Sequence, residues 1–389
     1  MIYLDNNATT PMDPRVREAM QPYMNDNFGN PSSSHTMGWK ANAAVIKARR
    51  RVADLINARH DEIIFTSGAT ESNNMIILGT VMRHLHPFNS KVPPNSKVHI
   101  ITSNVEHKCI LNACERAEEW GAEVTYLPVD KYGMVSAEAV RAAVKPHTKL
   151  VSLIFVNNEI GSINPIQEIG AFCKSEGIVF HTDAAQAAAK ELIDVQSMNI
   201  DSLSISGHKI YGPKGVGALF LGKKVEIKPL VVGGAQECGC RAGTLNVPGI
   251  VGLGKACELG RTDLDKDSRR IAPLRDFLIS QLTEKIAGAK LNGHPVCRVH
   301  GNVSITVPGL DLNSISRKVT DICFSSVSAC SSGKPSYVLK AVGLSDQDCL
   351  STLRFGIGRF TTKEEVETAV EKLVVTLRAE NLLYSESGS

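Results

Sequence analysis

A lysine and an aspartate stand at the ends of two neighbouring strand-like segments, and their side chains suit one particular chemistry. Lys209 lies in the glycine-rich turn that follows Ser206, and Asp183 ends the strand-like run before it. A desolvated lysine amine forms a Schiff base with an aldehyde cofactor, and a carboxylate beside the ring nitrogen of pyridoxal phosphate keeps that nitrogen protonated. Because ligands of parallel sheets bind at the carboxyl ends of strands, the pair predicts a pyridoxal phosphate site, with Gln186 near the ring hydroxyl. Taken alone, the turn is also typical of a surface loop and Asp183 of a helix cap.

Two more strand ends offer groups for a phosphate and for the ring. The segment Ser67-Gly68-Ala69-Thr70 leads from a strand into a helix, so its backbone N–H groups and the Thr70 hydroxyl predict a phosphate cradle. It has neither the lysine of a P-loop nor the spacing of a dinucleotide fingerprint. His107 follows another strand and is a candidate to stack on the ring and shuttle protons. Its alternative is a histidine that merely begins a helix.

The last third of the chain holds two further candidates. Cys330 lies among small residues in Ser328-Ala329-Cys330-Ser331-Ser332-Gly333, a setting that suits an exposed nucleophile once its thiolate is stabilised. Arg354 lies on a strand-like segment, and its guanidinium fork suits a substrate carboxylate. The alternative for Arg354 is a surface ion pair.

Strand and helix patterns alternate over the first two thirds of the chain, which predicts βαβ units and a mainly parallel sheet. The strand-like runs are Glu62–Phe65, Val98–Thr102, Glu123–Leu127, Leu150–Val156, Ile178–His181, Ser202–Ser206 and Val216–Leu221. The helical patterns between them are Thr70–His84, Lys108–Trp120, Ala137–Val144 and Ile166–Glu176.

A different organisation begins near Arg261, where a long charged amphipathic pattern reaches Lys285. It is followed by the patterns Asn302–Val307, Leu312–Val319, Ile322–Ser326, Leu353–Ile357 and Lys363–Arg378. We therefore predict an α/β protein with a large domain over 15–262, built on a mainly parallel, seven-stranded type of sheet flanked by helices. Residues 1–14 and 263–389 form a smaller α+β domain that carries Cys330.

The composition argues against several classes of protein. The chain has 389 residues, 43 Lys plus Arg against 40 Asp plus Glu, and a formal net charge of +3, so no charge field points to nucleic acid or a membrane surface. No apolar run is long enough to span a bilayer, and the N-terminus does not have the pattern of a secretory signal. The 10 cysteines show neither zinc-site spacing nor a disulfide frame, which favours a reducing, cytoplasmic location and no metal.

Taken together, the motifs resemble those of fold-type I pyridoxal phosphate enzymes, and among them the cysteine desulfurases of the nitrogenase and iron–sulfur-assembly type. The resemblance runs from Tyr3-Leu4-Asp5-Asn6-Asn7-Ala8-Thr9-Thr10-Pro11 to Gly358-Arg359-Phe360-Thr361-Thr362. Between them, in order, come Phe28-Gly29-Asn30-Pro31-Ser32-Ser33, Ser67-Gly68-Ala69-Thr70-Glu71-Ser72-Asn73, Asn157-Asn158-Glu159-Ile160-Gly161 and the turn over 206–215.

The resemblance implies a role for each candidate. Lys209 would carry the cofactor and take the α-proton, His107 would act as acid and base, and Cys330 would receive the substrate sulfur as a persulfide while alanine leaves. Arg354 would bind the substrate carboxylate. The remaining implied cofactor contacts are Ala69, Thr70, Ser206 and His208 at the phosphate, Thr244 from a partner subunit, Asp183 at the ring nitrogen, and Asn158 and Gln186 at the ring hydroxyl.

The implied activity is conversion of L-cysteine to L-alanine with sulfur transfer for iron–sulfur cluster or thio-cofactor assembly. The implied partners are a second copy of the chain and a sulfur-acceptor or scaffold protein. Three alternatives are a selenocysteine lyase acting on L-selenocysteine, an aminotransferase-like enzyme that would not need Cys330, and an inert cofactor-binding subunit. The sequence also departs from the family pattern, with Cys238 where an arginine is common and Val327 where a glycine is usual.

Overall fold

A computed structural model describes residues 1–326 and 334–379 of the chain. Its strands, in chain order, are β1 Ile2–Tyr3, β2 Ile63–Thr66, β3 His99–Ser103, β4 Glu123–Leu127, β5 Thr148–Ile154, β6 Val179–Asp183, β7 Ser202–Ser206, β8 Gly217–Leu221, β9 Lys290–Leu291, β10 Asn302–Thr306, β11 Ile322–Cys323, β12 Ser325–Ser326 and β13 Thr352–Gly356. Its α-helices are α1 Pro14–Met20, α2 Thr36–Leu55, α3 Ala69–His84, α4 Lys108–Glu119, α5 Ala137–Ala143, α6 Ile166–Glu176, α7 Val247–Lys285, α8 Leu312–Lys318, α9 Tyr337–Ala341, α10 Asp346–Leu350 and α11 Lys363–Ala379.

The predicted α/β fold with a mainly parallel sheet is confirmed. The large sheet has seven strands in the order β2-β8-β7-β6-β5-β3-β4, and β8 alone among them runs against the others. Helices cover both faces of this sheet. Neighbouring residues of a strand point to opposite faces and therefore pack against different helices. Ile101 and Val151 pack in one hydrophobic cluster with α2 and α7, while Ile100 and Leu150 pack in another with α3 and α4.

A second region has its own hydrophobic cluster and a four-stranded sheet in the order β12-β13-β10-β9. Ile2 and Leu4 join this cluster because β1 pairs in parallel with β11. The N-terminal segment then crosses β13, and a Cβ atom at Gly356 would lie 2.5 Å from the backbone nitrogen of Asn7. This close approach brings the first residues of the chain to the large sheet.

Helix α7 joins the two regions. Its first half packs in the cluster of the large sheet through Val247 to Leu259, and its second half packs in the other cluster through Ile271 to Leu282. The predicted domain limit at 262/263 therefore falls inside one continuous helix of 39 residues, and the division into two domains stays a prediction.

The largest difference from the sequence-based expectation is α2, a helix of 20 residues that the pattern analysis did not predict. Its buried face is made mainly of small residues such as Ala41, Ala44 and Ala48, which give a weak hydrophobic signal. This face suits α7, where a Cβ atom at Gly254 would lie 2.6 Å from the Cα of Ala48. Helix α7 itself begins fourteen residues earlier than predicted, and the strand predicted over 322–326 is the two short strands β11 and β12.

Within the described ranges, the helices include none whose length and apolar character would let it cross a bilayer. Across the same residues, the side chains form no cluster of three or more histidine, cysteine or acidic groups suited to a metal ion.

Candidate active site

One cavity of about 550 Å³ lies at the carboxyl edge of the large sheet. It collects side chains from the ends of several strands, from the N-terminal segment and from β13. The residues predicted for the site that line it are Ala69, Thr70, His107, Asn158, Asp183, Gln186, Ser206, His208, Lys209 and Arg354. Residues separated by up to nearly three hundred positions in the sequence thus share a single cavity.

Asp183 is the last residue of β6 and forms the deep acidic group of the cavity. Its side chain is only 4% exposed. Oδ2 accepts a hydrogen bond from Nδ2 of Asn73 at 2.8 Å, and Oδ1 accepts one from the backbone N–H of Ala185 at 2.9 Å. Two donors fix the carboxylate and stabilise its negative charge.

Lys209 ends a short 3₁₀ turn, Gly207–Lys209, that directly follows β7. Its Nζ donates to the backbone carbonyl oxygens of Asn7 at 2.6 Å and Ala8 at 2.7 Å. Since both acceptors belong to the N-terminal segment, that segment orients the amine in the cavity. The sequence analysis quoted the Asn7-Ala8-Thr9 motif but gave it no site role, because backbone carbonyl groups leave no signature in residue types.

The beginning of α3 forms the predicted phosphate cradle. Gly68 precedes the helix with a φ of +151°, and a Cβ atom at Gly217 would lie 2.6 Å from the Cα of Gly68. Glycine at both positions therefore lets β8 approach the turn closely. The first N–H groups of the 16-residue helix have no intrahelical acceptor, and its first two residues, Ala69 and Thr70, line the cavity beside Ser206.

His208 lies next to this cradle as a neutral side chain. Its Nδ1 is 3.1 Å from Oγ1 of Thr9. Burial lowers the pKa of His208 to about 4, and the nearby charge of Lys209 acts in the same direction. A neutral imidazole has one N–H donor, which suits a hydrogen bond to phosphate rather than a salt bridge.

His107 is the N-cap residue of α4 and lies at the open side of the cavity. Its Nδ1 accepts a hydrogen bond from the backbone N–H of Cys109 at 3.2 Å. The surrounding protein desolvates the ring and lowers the pKa of His107; the charge of Asp183 opposes this shift and that of Lys209 adds to it.

Arg354 on β13 forms the opposite side of the cavity. Its Nη1 donates to the backbone carbonyl of Asn158 and its Nη2 to Oδ1 of Asp5, both at 3.3 Å. Two buried polar atoms on this side, Arg354 Nε and Asn158 Oδ1, have no hydrogen-bond partner among the described residues. They are groups for which a bound molecule is expected to supply the partners.

Gln186 is held between two neighbours. Its Nε2 donates to the backbone carbonyl of Asn7 at 2.8 Å, and its Oε1 accepts from Nζ of Lys190 at 2.9 Å. Burial lowers the pKa of Lys190 to about 7, and the charge of Lys209 contributes. Gln186 thus has a fixed orientation at the wall of the cavity.

Two predicted site residues, Thr244 and Cys330, are not confirmed in the cavity. Thr244 is exposed and does not line it. Cys330 lies outside the described residues, so its position relative to the cavity stays a prediction.

Several residues of the cavity were missed by the sequence analysis. Cys109 lines the cavity from the first turn of α4, and Lys214 lines it as well. Asn73, in the second turn of α3, is fully buried and reaches the site through its hydrogen bond to Asp183. The sequence could have indicated Asn73 and Cys109 as candidates, since both lie near the beginning of a helix that follows a predicted strand. Their orientation depends on how the two helices pack together.

The residues of the cavity fit pyridoxal phosphate. A lysine amine, a buried carboxylate and a helix N-terminus face the same space, and the unpartnered Asn158 Oδ1 lies there as well. Lys209 would hold the aldehyde carbon, Asp183 the ring nitrogen, and the beginning of α3 with Ser206 and His208 the phosphate.

Comparison with known proteins gives a consistent picture. Residues 2–369 match the family described as aminotransferase class-V. The chain is 48% identical over 374 residues to the cysteine desulfurase IscS of Rickettsia massiliae, covering 95% of this chain and 89% of that protein. It is also 48% identical over 375 residues to the cysteine desulfurase IscS of Rickettsia bellii, with the same coverage.

Solved structures agree with these relatives. A NifS-like protein superposes with a TM-score of 0.88 at 34% identity, covering 97% of this chain and 99% of that one. A structure described as SspA in complex with cysteine superposes with a TM-score of 0.81 at 38% identity, covering 93% and 100% of the two chains.

Proposed function

Since the chain belongs to the class-V aminotransferase family and, within it, to the pyridoxal-phosphate-dependent cysteine desulfurases, we propose that it converts L-cysteine to L-alanine and transfers the sulfur to Cys330 as a persulfide. The observation that carries the proposal is the cavity in which Lys209, Asp183 and Arg354 face one another. The relatives named above are cysteine desulfurases, and the SspA structure is described with cysteine. The alternative substrate L-selenocysteine is therefore not favoured.

The substrate is oriented by the side of the cavity opposite to the sheet. Within residues 1–326 and 334–379, the Arg354 guanidinium has long hydrogen bonds of 3.3 Å and its Nε has no hydrogen-bond partner. A substrate carboxylate would replace these contacts with a paired, charge-assisted interaction. This fixes the amino acid with its α-carbon toward Lys209.

Proton transfer falls to the residues at the strand ends. When bound, pyridoxal phosphate supplies an electron sink that stabilises negative charge at the substrate α-carbon. The Asp183 carboxylate holds the proton on the ring nitrogen, which the sink requires. The Lys209 amine removes the α-proton of the substrate, and the His107 imidazole exchanges protons on the open side.

Sulfur transfer then requires a nucleophile. The Cys330 thiolate attacks the sulfur of the bound cysteine, the new S–S bond forms, and the bond between that sulfur and the substrate β-carbon breaks. The electron pair of the broken bond stays with the carbon skeleton, which takes up protons and leaves as alanine. The persulfide on Cys330 is the form in which sulfur reaches an acceptor protein.

The test is to add L-cysteine to the purified holoenzyme, quantify alanine, and alkylate the protein for mass spectrometry of its cysteine peptides. We expect alanine and a persulfide on Cys330. Cys330→Ser should lose the persulfide, whereas Cys297→Ser, which removes an exposed thiol of the described region, should keep it. Absence of alanine, or a persulfide confined to another cysteine, would contradict the proposal.

A homodimer is the second part of the proposal. Support comes from Thr244, which the family resemblance assigns to a phosphate contact although it is exposed and lies outside its own cavity. The turn before it is anchored, because Oε1 of the buried Glu237 accepts from Nη2 of Arg49 at 2.6 Å. Analytical ultracentrifugation should give a dimer, and Thr244→Ala should weaken cofactor binding; an active monomer would contradict this part. The cytoplasmic location stays a prediction.

A further inference from the structure

A chain of hydrogen bonds connects the acidic and the imidazole groups of the cavity. Nδ2 of Asn73 lies 2.8 Å from Oδ2 of Asp183 and 3.2 Å from Sγ of Cys109. Sγ of Cys109 lies in turn 3.0 Å from Nδ1 of His107. Asn73 is fully buried on α3, whereas Asp183, Cys109 and His107 line the cavity, so only the Asn73 link lies behind the cavity wall.

The direction of each hydrogen bond follows from the groups involved. The backbone N–H of Cys109 can only donate, so Nδ1 of His107 is an acceptor. The Asp183 carboxylate can only accept, so the Asn73 amide presents its NH₂ group; turning the amide over would place its Oδ1 against the carboxylate. The second hydrogen of that NH₂ group points to the Cys109 sulfur. The sulfur therefore accepts from Asn73 and from the Thr70 hydroxyl, and gives its own S–H to Nδ1 of His107.

The surrounding charges agree with this arrangement. Burial and the charge of Asp183 raise the pKa of the Cys109 thiol to about 12, so the sulfur keeps the proton that it donates. His107 caps α4, and the positive end of the helix dipole opposes a positive charge on the ring. Of the charged groups that face His107, Lys209 beyond β7 and Lys108 on α4 also disfavour the imidazolium, while Asp183 on β6 favours it.

We propose that Cys109 and Asn73 are positioning residues that hold His107 as a neutral imidazole with its proton on Nε2. Nε2 is then the ring nitrogen that delivers or receives protons in the cavity, while both donors of α4 occupy Nδ1. Neither the resemblance nor the comparisons assign a role to Cys109 or Asn73. The proposal concerns the position of a proton in the protein and is independent of which substrate is used.

The direct test is nitrogen NMR of the full-length holoenzyme labelled with ¹⁵N-histidine, with His107→Gln to identify the resonances of His107. At pH 7 we expect an unprotonated Nδ1 and a protonated Nε2. A proton on Nδ1, or an imidazolium at this pH, would overturn the proposal. Because the measurement needs no substrate, it remains decisive even if the protein forms no alanine.

Variants of the chain separate positioning from packing. Cys109→Ala removes the S–H donor, so the midpoint of the His107 titration should rise by about 0.5–1 pH unit, while Cys109→Ser restores a donor and should return most of the shift. Cys114→Ala is the matched control, because Cys114 is a buried thiol on the same helix and does not line the cavity. The acidic limb of the pH–rate profile should move in parallel with the NMR midpoint. An unchanged midpoint in Cys109→Ala, or an equal shift in Cys114→Ala, would contradict the proposal.

Discussion

The two sides of the cavity are built in different ways. On the first, which we name the cofactor wall (Asp183, Lys209 and the beginning of α3), the charged groups of Asp183 and Lys209 have short hydrogen bonds of 2.6–2.9 Å. On the second, the substrate wall (Arg354 and the backbone carbonyl of Asn158), hydrogen bonds are 3.3 Å long and the buried Nε of Arg354 has no hydrogen-bond partner among the described residues. A cofactor that stays bound through every turnover is held well by side chains with fixed hydrogen bonds. A substrate that enters and leaves binds to side chains whose existing hydrogen bonds it can replace.

The origin of the two walls in the fold explains this difference. The cofactor wall comes from ends of neighbouring strands in one rigid sheet, which hold side chains in precise relation. The substrate wall depends on contacts between segments that are distant in the chain, such as Arg354 and Asp5, which are 349 positions apart.

The largest effect is expected from Lys209→Ala in the cofactor wall. Removal of the amine should abolish the visible absorption of the lysine-linked cofactor and reduce alanine formation by at least about 10³-fold. Absorption spectra and a coupled alanine assay measure both. Lys223→Ala, which removes a surface lysine paired with Asp61, is the control and should leave them unchanged. Wild-type turnover in Lys209→Ala would show that Lys209 does not bind the cofactor.

The next effect is expected from Asp183→Asn. The uncharged amide cannot stabilise a proton on the ring nitrogen, so turnover should fall by about 10²–10³-fold. The cofactor should remain bound, because the lysine and the phosphate cradle are intact. Spectroscopic titration of the cofactor separates these two outcomes, and loss of cofactor with normal turnover after reconstitution would contradict the assignment.

A smaller effect, of a different kind, is expected in the substrate wall. Arg354→Lys keeps the charge but not the planar pair of donors, so KM for cysteine should rise by about 10- to 100-fold while the absorption spectrum stays unchanged. Steady-state kinetics with spectra of the resting enzyme measure the difference. A changed resting spectrum with unchanged KM would show that Arg354 contacts the cofactor rather than the substrate. The two walls would then not differ in the molecule that they bind.

The smallest effect is expected from Glu159→Gln, next to Asn158. Oε2 of Glu159 accepts from Oγ of Ser336 at 2.5 Å, and burial raises the pKa of Glu159 from its ordinary 4.5 to about 7. Between pH 4.5 and about 7, the folded state therefore holds a proton that the unfolded chain has released. The free energy of unfolding falls as pH rises across this range, and the stabilisation present at low pH is lost once pH has passed about 7. The variant has no carboxyl group to titrate at this position. From pH 5 to pH 8 its free energy of unfolding, relative to that of the wild type, should therefore rise by roughly 1–3 kcal/mol.

Urea unfolding of both proteins at the two pH values measures this difference. Glu106 and Glu191, whose pKa values are also raised by burial, titrate in both proteins and cancel in the comparison. Identical pH dependence in the variant and the wild type would show that Glu159 is ionised throughout. The substrate wall would then lack the buried, titrating neighbour that we assign to it.

The cofactor wall could be predicted from the sequence far better than the substrate wall. Asp183 ends β6 and Lys209 lies in the turn after the neighbouring β7, and a parallel sheet brings such positions to one edge. Helices α4, α5 and α6 were predicted to within one residue because their apolar periodicity and end residues agree. Helix α2 was missed because small residues pack closely without a strong hydrophobic pattern.

By itself, the sequence determined the strands of the large sheet, most helices between them and the residue types at the strand ends, because these depend on local periodicity and on general rules of connection. Only the tertiary structure decided that the backbone carbonyls of Asn7 and Ala8 hold Lys209, and that Asn73 and Cys109 link Asp183 to His107. These contacts join segments of different elements. Their geometry depends on how whole helices and the N-terminal segment pack, which no local pattern of residues encodes.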